Sequence, residues 1–333
     1  MQGSNIILVI LETSLSAGHH RSYIDLMRRN FSVSVTKFHW GILWLRAPVM
    51  FLMIEQFPIQ YSVVAFLRSL IGRRTIGLLF RPLPALNGMG CTQRVKRSIL
   101  KLLRRFRLVQ TLTIMPFAVE PRFSEIAHGW IYDPQMWDLT DADRDQVAIG
   151  KGALLSEIRA SAAGRGICSA IGRQDRAKGF DLFSRIYQAN PALRMRMLFA
   201  SGGKVEPVLA EELAQFRAAG GLAIDRFVND EELLDLYAAA DIVWCWYDSN
   251  YDQASGVFGR AAQLGLPVVT RRGSLVHRLC EIEEISHVAI SGADEWEAIL
   301  SASSPDPSRG AMRAHLHGEI SRARLKSAFG LRG

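Results

Sequence analysis

Cysteine is scarce and scattered in this chain. Cys91, Cys168, Cys245 and Cys280 form no Cys-x-x-Cys pair, which excludes a disulfide framework or a clustered-thiol metal site as the organising device. They read as buried thiols of a reducing compartment. The first apolar run, Asn5–Leu11, has no basic segment before it and no small-residue cleavage site after it. It reads as a buried strand, and the expected location is the cytoplasm. A long hydrophobic run is missing too. The stretch from Trp40 to Ile54 is broken by Arg46 and Pro48 and falls short of the roughly 20 residues that a spanning helix needs.

Acidic residues are nearly absent between positions 21 and 107, where Asp25 and Glu55 face sixteen Lys and Arg. That segment alone carries +14, against +8 for the whole chain. Such a density of cations attracts anionic lipid headgroups or polyphosphates. Two readings fit the segment: docking at an anionic membrane surface, peripheral to the inner face, or a buried strand and helix with solvated basic neighbours. No recognition motif or aromatic stacking pattern accompanies the charge, so no nucleic-acid partner is expected. Internal repeats and low-complexity tracts are also lacking.

What is present is an ordinary globular composition, 49% hydrophobic and 22% charged over 333 residues, a length that suits two domains. Short apolar runs alternate with longer amphipathic stretches, the pattern of βαβ units and parallel sheets covered by helices. The first set predicts strands at Ile6–Leu11, Phe31–Val35, Val49–Ile54, Thr75–Phe80 and Leu108–Ile114, with helices that include Arg21–Arg29 and Gln93–Arg105. The second predicts strands at Gly166–Ile171, Met195–Ala200, Leu222–Val228, Ile242–Tyr247, Leu266–Thr270 and His287–Ile290. The acidic stretch Asp138–Asp145 suits a boundary or a capped helix start. The expected division is 1–140, 141–305 and a basic helical tail, 306–333, crossing back to the first domain.

In an open parallel sheet, ligands bind where the carboxyl ends of strands meet loops and helix N-termini. Two loops satisfy that criterion. The first, Gly172-Arg173-Gln174-Asp175-Arg176-Ala177-Lys178-Gly179, sets two long cations between a strand end and a helix. Arg173 offers a planar fork and Lys178 a point charge, together able to grip a diphosphate. The second runs from Tyr247 to a helix start at Ser255-Gly256-Val257, where free N–H groups and the helix dipole favour a phosphate. Gly256 leaves room for its close approach.

From about Gly166 to Arg278 the chain resembles the donor-binding domain of GT-B-fold glycosyltransferases, especially the retaining family 4 enzymes. The likeness rests on Gly172-Arg173, Lys178-Gly179, the unit Tyr237-Ala-Ala-Ala240-Asp241, and Gly265-Leu-Pro267-Val268-Val269. It implies an α/β protein of GT-B type, two Rossmann-like doubly wound parallel-sheet domains facing a cleft, with the acceptor in the first and the donor in the second. In that family two glutamates separated by seven residues precede the last motif, one contacting the donor sugar and the other the ribose hydroxyls. Here the positions hold Asp252 and Arg260, and a guanidinium cannot accept the ribose hydrogen bonds. Arg260 meeting phosphate or base, a shifted ribose contact and a silent site are the three readings of that change.

In the first domain the resemblance places Gly18 in a loop facing the donor phosphates, with His19 at the cleft. It makes Arg81, at a strand end where many members carry a histidine, an acceptor or phosphate contact. Solvated positions fit His19 and Arg81 equally well. The Asp133-Pro134 turn resembles the family's interdomain link. The implied reaction transfers a sugar from a nucleoside diphosphate to a glycan or lipid-linked acceptor in bacterial surface polysaccharide synthesis, with retention and without a metal. No cofactor is implied beyond the nucleotide-sugar co-substrate. A silent nucleotide-sugar or glycan-binding partner and a sugar-nucleotide epimerase are the rival readings.

Overall fold

The computed structural model describes residues 8–12 and 19–331, with the side chains of Val9 and of residues 23–331. The chain divides into two compact units, Met1–Pro134 with Leu316–Gly333, and Gln135–His315. Among the described residues each holds one six-stranded sheet.

In the first unit, β1 (Leu8–Glu12), β2 (Val33–Lys37), β3 (Val49–Phe51), β4 (Thr75–Leu79), β5 (Val109–Thr113) and β6 (Gly129–Trp130) lie in the order β2-β1-β3-β4-β5-β6, all parallel. Every residue of β3 and β4 is buried, as expected of strands covered on both faces. Gly77 in β4 is required by that cover, since a β-carbon there would sit 2.5 Å from the ring of Tyr61. The run Trp40–Ile54 resolves into two parts. Trp40–Trp44 is a 3-10 helix, and Val49, Met50, Phe51, Leu52 and Ile54 are core.

In the second unit, β7 (Gly166–Ile171), β8 (Met197–Gly202), β9 (Leu222–Ile224), β10 (Ile242–Cys245), β11 (Val268–Arg271) and β12 (His287–Ile290) lie in the order β12-β11-β10-β7-β8-β9, again parallel. Counted within the unit this is the Rossmann order 3-2-1-4-5-6, and the strand sequence reverses between β7 and β10. Phe183 stacks on Phe199 at 4.6 Å and meets Trp244 at 5.3 Å in the core behind that reversal.

The acidic stretch becomes the helix Asp141–Ile149, opened by a capping box between Thr140 and Asp143. Several strand boundaries move, and in the second unit the helix Pro191–Arg196 runs on to the edge of β8 while β9 ends at Ile224. The division falls at Pro134, six residues before the expected 140. The last helix, Pro307–Phe329, contributes to the second unit through His315 and to the first from Leu316 onward. In the first unit His317 stacks on Tyr132 at 3.8 Å, Arg324 lies 3.7 Å above Trp130, and Phe329 meets Phe31 at 5.0 Å.

Candidate donor site

The loop that follows β7 is bound to the end of β8. Gly172 N–H donates to Gly202 O at 2.8 Å and Gln174 N–H to Lys204 O at 2.9 Å. Gly172 and Gly203 both have positive φ, and a β-carbon on Gly203 would lie 2.1 Å from Gly172 O. Two backbones therefore approach as only glycine permits. The chain then makes a 3-10 turn, Arg176–Lys178, in which Asp175 Oδ1 accepts from Lys178 N–H at 2.8 Å.

Gly179, also at positive φ, is pressed against Trp246. Trp244 Nε1–H donates to Lys178 O at 3.2 Å, and Asp248 N–H donates to Ala177 O at 2.9 Å. The turn is thus fixed to the carboxyl end of β10, across the strand reversal. Its consequence is the placement of Lys178, whose Nζ lies 3.6 Å from where a Gly172 β-carbon would be, with Val257 Cγ2 3.9 Å from the same point. Burial lowers the Lys178 pKa, the nearby Asp175 carboxylate offsetting part of the effect. Among the described residues its ammonium has no hydrogen bond and no ion pair. Arg173, beside it, is 67% exposed and pairs with Glu206.

Ser255 precedes the helix Gly256–Gln263 but does not cap it. Its Oγ accepts from Tyr247 O–H at 2.7 Å, and both residues are buried. The space that Gly256 leaves is taken by this chain itself: a β-carbon there would lie 1.8 Å from Gln135 Oε1. That corrects the expectation of an open approach at Gly256, because glycine here admits the Gln135 carboxamide.

Two of the predicted site residues are held by protein partners. Asp252 Oδ2 accepts from Arg271 Nη2 at 2.9 Å and Oδ1 from Leu275 N–H at 2.8 Å, at the start of the helix Leu275–Ile282. Burial raises the Asp252 pKa, while the Leu275 N–H and the Arg271 charge oppose the shift. Arg260 Nη2 pairs with Asp138 Oδ2 at 3.3 Å, on the helix face where Gln263 Nε2 also donates to Gln135 O and Asp138 Oδ1. Burial opposes the Arg260 charge, and the Asp138 carboxylate together with Tyr237 and Asp230 outweighs it, so its pKa is raised. The structure thus brings Gly172, Lys178 and Val257 together with Arg173 adjacent, and turns Arg260 toward Asp138.

In the first unit Arg81 is exposed at the end of β4, and its N–H donates to Glu55 Oε1 at 2.6 Å. Glu55, just beyond β3, is a residue that sequence reasoning passed over. Its Oε2 is buried without a hydrogen-bond partner, and burial raises its pKa against the opposing Arg81 N–H. The available signal was its isolation as one of two acids among sixteen cations. Gly18 lies outside the described residues, as does the side chain of His19, whose backbone opens the helix His19–Asn30.

A concavity of about 780 Å3 in the second unit lies elsewhere, lined by Gly166, Asp241, Leu266 and Pro307 at the amino ends of the strands.

No family model and no curated protein matches the sequence. The structure does match solved structures along nearly its whole length. The UDP-forming trehalose-phosphate synthase from Burkholderia vietnamiensis superposes with a TM-score of 0.63 at 11% identity, covering 97% of this chain and 95% of that one. Trehalose-6-phosphate synthase of E. coli, bound with UDP-2-fluoro glucose, gives 0.59 at 9% identity, covering 98% and 99%. Anabaena HepE in complex with UDP and glucose gives 0.51 at 13% identity, covering 98% of each chain. The fold is therefore GT-B, with two Rossmann-like domains, and the likeness is not to family 4 in particular.

Proposed function

We propose that the chain is a glycosyltransferase that moves a sugar from a nucleoside-diphosphate donor to a glycan or lipid-linked acceptor, with the donor diphosphate bound at the carboxyl ends of β7 and β10. One observation carries this reading. Lys178 is a half-buried cation at the strand reversal of a Rossmann sheet, with no hydrogen bond or ion pair among the described residues. Burying a cation costs free energy unless an anion meets it. A diphosphate there, within reach of the Gly256–Gln263 helix start, supplies that anion.

The chemistry follows from charge. As the bond from sugar C1 to the β-phosphate oxygen breaks, negative charge gathers on the leaving diphosphate, and the acceptor oxygen bonds C1 while its proton passes to the departing phosphate oxygen. A preset cation and helix dipole stabilise that charge without reorganising. These groups let the reaction proceed without a metal, and the family 4 resemblance of Gly166–Arg278 supports retention and a place in surface polysaccharide synthesis. Asp252, held by Arg271 and the Leu275 amide, keeps spare acceptor lone pairs for a hydroxyl of the donor sugar. UDP-sugars are the first donors to test, since UDP-forming synthases and a UDP complex share the fold.

The test is calorimetric titration of UDP-glucose and a panel of nucleotide sugars into wild type, Arg173→Ala and Lys178→Ala. One diphosphate donor should bind wild type and bind Lys178→Ala more weakly, and a parallel sugar-transfer assay should show turnover of Lys178→Ala lowered about 100-fold or more. Unchanged donor affinity in Lys178→Ala would sink the assignment. A silent donor-binding partner is the second reading, favoured by Arg260 replacing the glutamate that the family 4 resemblance gives the ribose hydroxyls, and by its pairing with Asp138. It is distinguished by donor binding with no sugar transfer to any acceptor offered.

A further inference from the structure

The helix Pro58–Leu70 is apolar on both sides. Tyr61, Val64 and Ala65 face the core together with Arg68. Opposite them Ile59, Val63, Phe66, Leu67 and Leu70 are all exposed, Ile59 by 74% and Leu70 by 62%. At 3.6 residues per turn these five fall within an arc of roughly 100°. A surface helix normally presents polar residues on that side, and an all-round apolar helix belongs in a buried setting.

Arg68 holds the 3-10 helix Trp40–Trp44 against the same helix by donating to Leu45 O at 3.0 Å and Ala47 O at 2.8 Å. Trp44 is 74% exposed and Trp40 57%. Phe38 stacks with Phe57, next to the helix start, at 6.3 Å and meets Trp40 at 5.3 Å. On the other flank Phe66 packs edge-on to Phe106 at 5.4 Å, which brings Arg104, Arg105 and Arg107 to the margin of the stripe. All three arginines are exposed. Among the described residues their guanidinium groups make no hydrogen bond and no ion pair.

We propose that this face docks on a bilayer surface bearing anionic phospholipids. The outer stripe and the two tryptophans enter the boundary between headgroups and acyl chains, and the arginines meet the headgroup phosphates. Charge complementarity selects this occupant: the surrounding segment, 21–107, carries +14, and anionic leaflets attract such segments. The helix lies on the surface and does not cross, for no described helix is long and apolar enough to span. The inference is independent of the donor-site reading.

The full chain would be co-sedimented with vesicles of phosphatidylcholine alone and of phosphatidylcholine mixed with phosphatidylglycerol, with tryptophan emission recorded. We expect retention on the anionic vesicles, a blue shift, and weakening by salt. Ile59→Ser with Leu70→Ser, and separately Arg104→Ser with Arg105→Ser and Arg107→Ser, should each weaken binding about tenfold or more. Both sets are surface changes, so circular dichroism and donor titration should match wild type. Three results overturn the proposal: no retention at low salt, equal retention on neutral vesicles, or a wild-type dimer in sedimentation velocity that Ile59→Ser with Leu70→Ser converts to monomer.

Discussion

Lys178 offers a pH test of the donor site. Burial lowers its pKa in the free protein, and a bound diphosphate favours the charged form and raises it again. Donor affinity should be full below the free-protein pKa and should fall as pH rises through it, with proton uptake on that alkaline limb. Lys178→Arg, which stays charged, should flatten the limb. An identical alkaline limb in both proteins would remove Lys178 from the site. Arg260 makes the opposite kind of test. Arg260→Glu would set a carboxylate beside the buried Asp138 and should cost about 3 kcal/mol or more of stability in a denaturant melt. Arg260→Met should leave donor affinity nearly unchanged if the pair is structural, and a large loss would return Arg260 to the donor. The Lys178 loop could be read from sequence because its geometry is local, a strand end, a glycine and a helix start within a few residues. The partner of Arg260 stands 122 positions away, and no local spacing reports such a pairing.

At the scale of elements, what was legible depended on contrast. Strands β7, β10 and β12 lie where apolar runs bounded by turn residues predict them, because loops punctuate both ends. The helix Pro58–Leu70 escaped, since a 3.6-residue period needs polar residues on one side to be visible and this helix has apolar residues on both. The run Trp40–Ile54 was legible in part: a strand starts at Val49, as the break at Arg46 and Pro48 suggests, while the 3-10 helix Trp40–Trp44 is too short to show a period. What organises that region is Arg68, fully buried and bonded to Thr75 Oγ1 and to the carbonyls of Leu43, Leu45, Ala47 and Arg74. A guanidinium is the one side chain with enough fixed donors for that work. Arg68→Met would leave buried carbonyls unsatisfied and should cost about 3–5 kcal/mol. Chemical denaturation monitored by tryptophan emission would measure it, and a loss below about 1 kcal/mol would mean that water replaces the arginine.

At the scale of the molecule, the sequence order and the structural units do not coincide. The first unit is completed by residues from the far end of the chain, and a cut near 305 would remove a part of each unit. From Leu316 onward the last helix gives the first unit Leu325, Ala328 and Phe329 as core, the Ser321 hydroxyl that accepts from Tyr132 N–H at 3.1 Å, and the Arg324 contact with Trp130. Burying Leu325 and Phe329 alone is worth about 3–6 kcal/mol, comparable with the whole stability of a small domain. A chain ending at His315 keeps every described residue of the second unit. Two transitions should therefore separate in calorimetry of that variant, the one belonging to the first unit falling or vanishing while donor binding to the second persists. A single transition lowered together with donor affinity would instead mean that the two units fold as one cooperative body, and the donor half would then depend on the C-terminal strap as much as the half it completes.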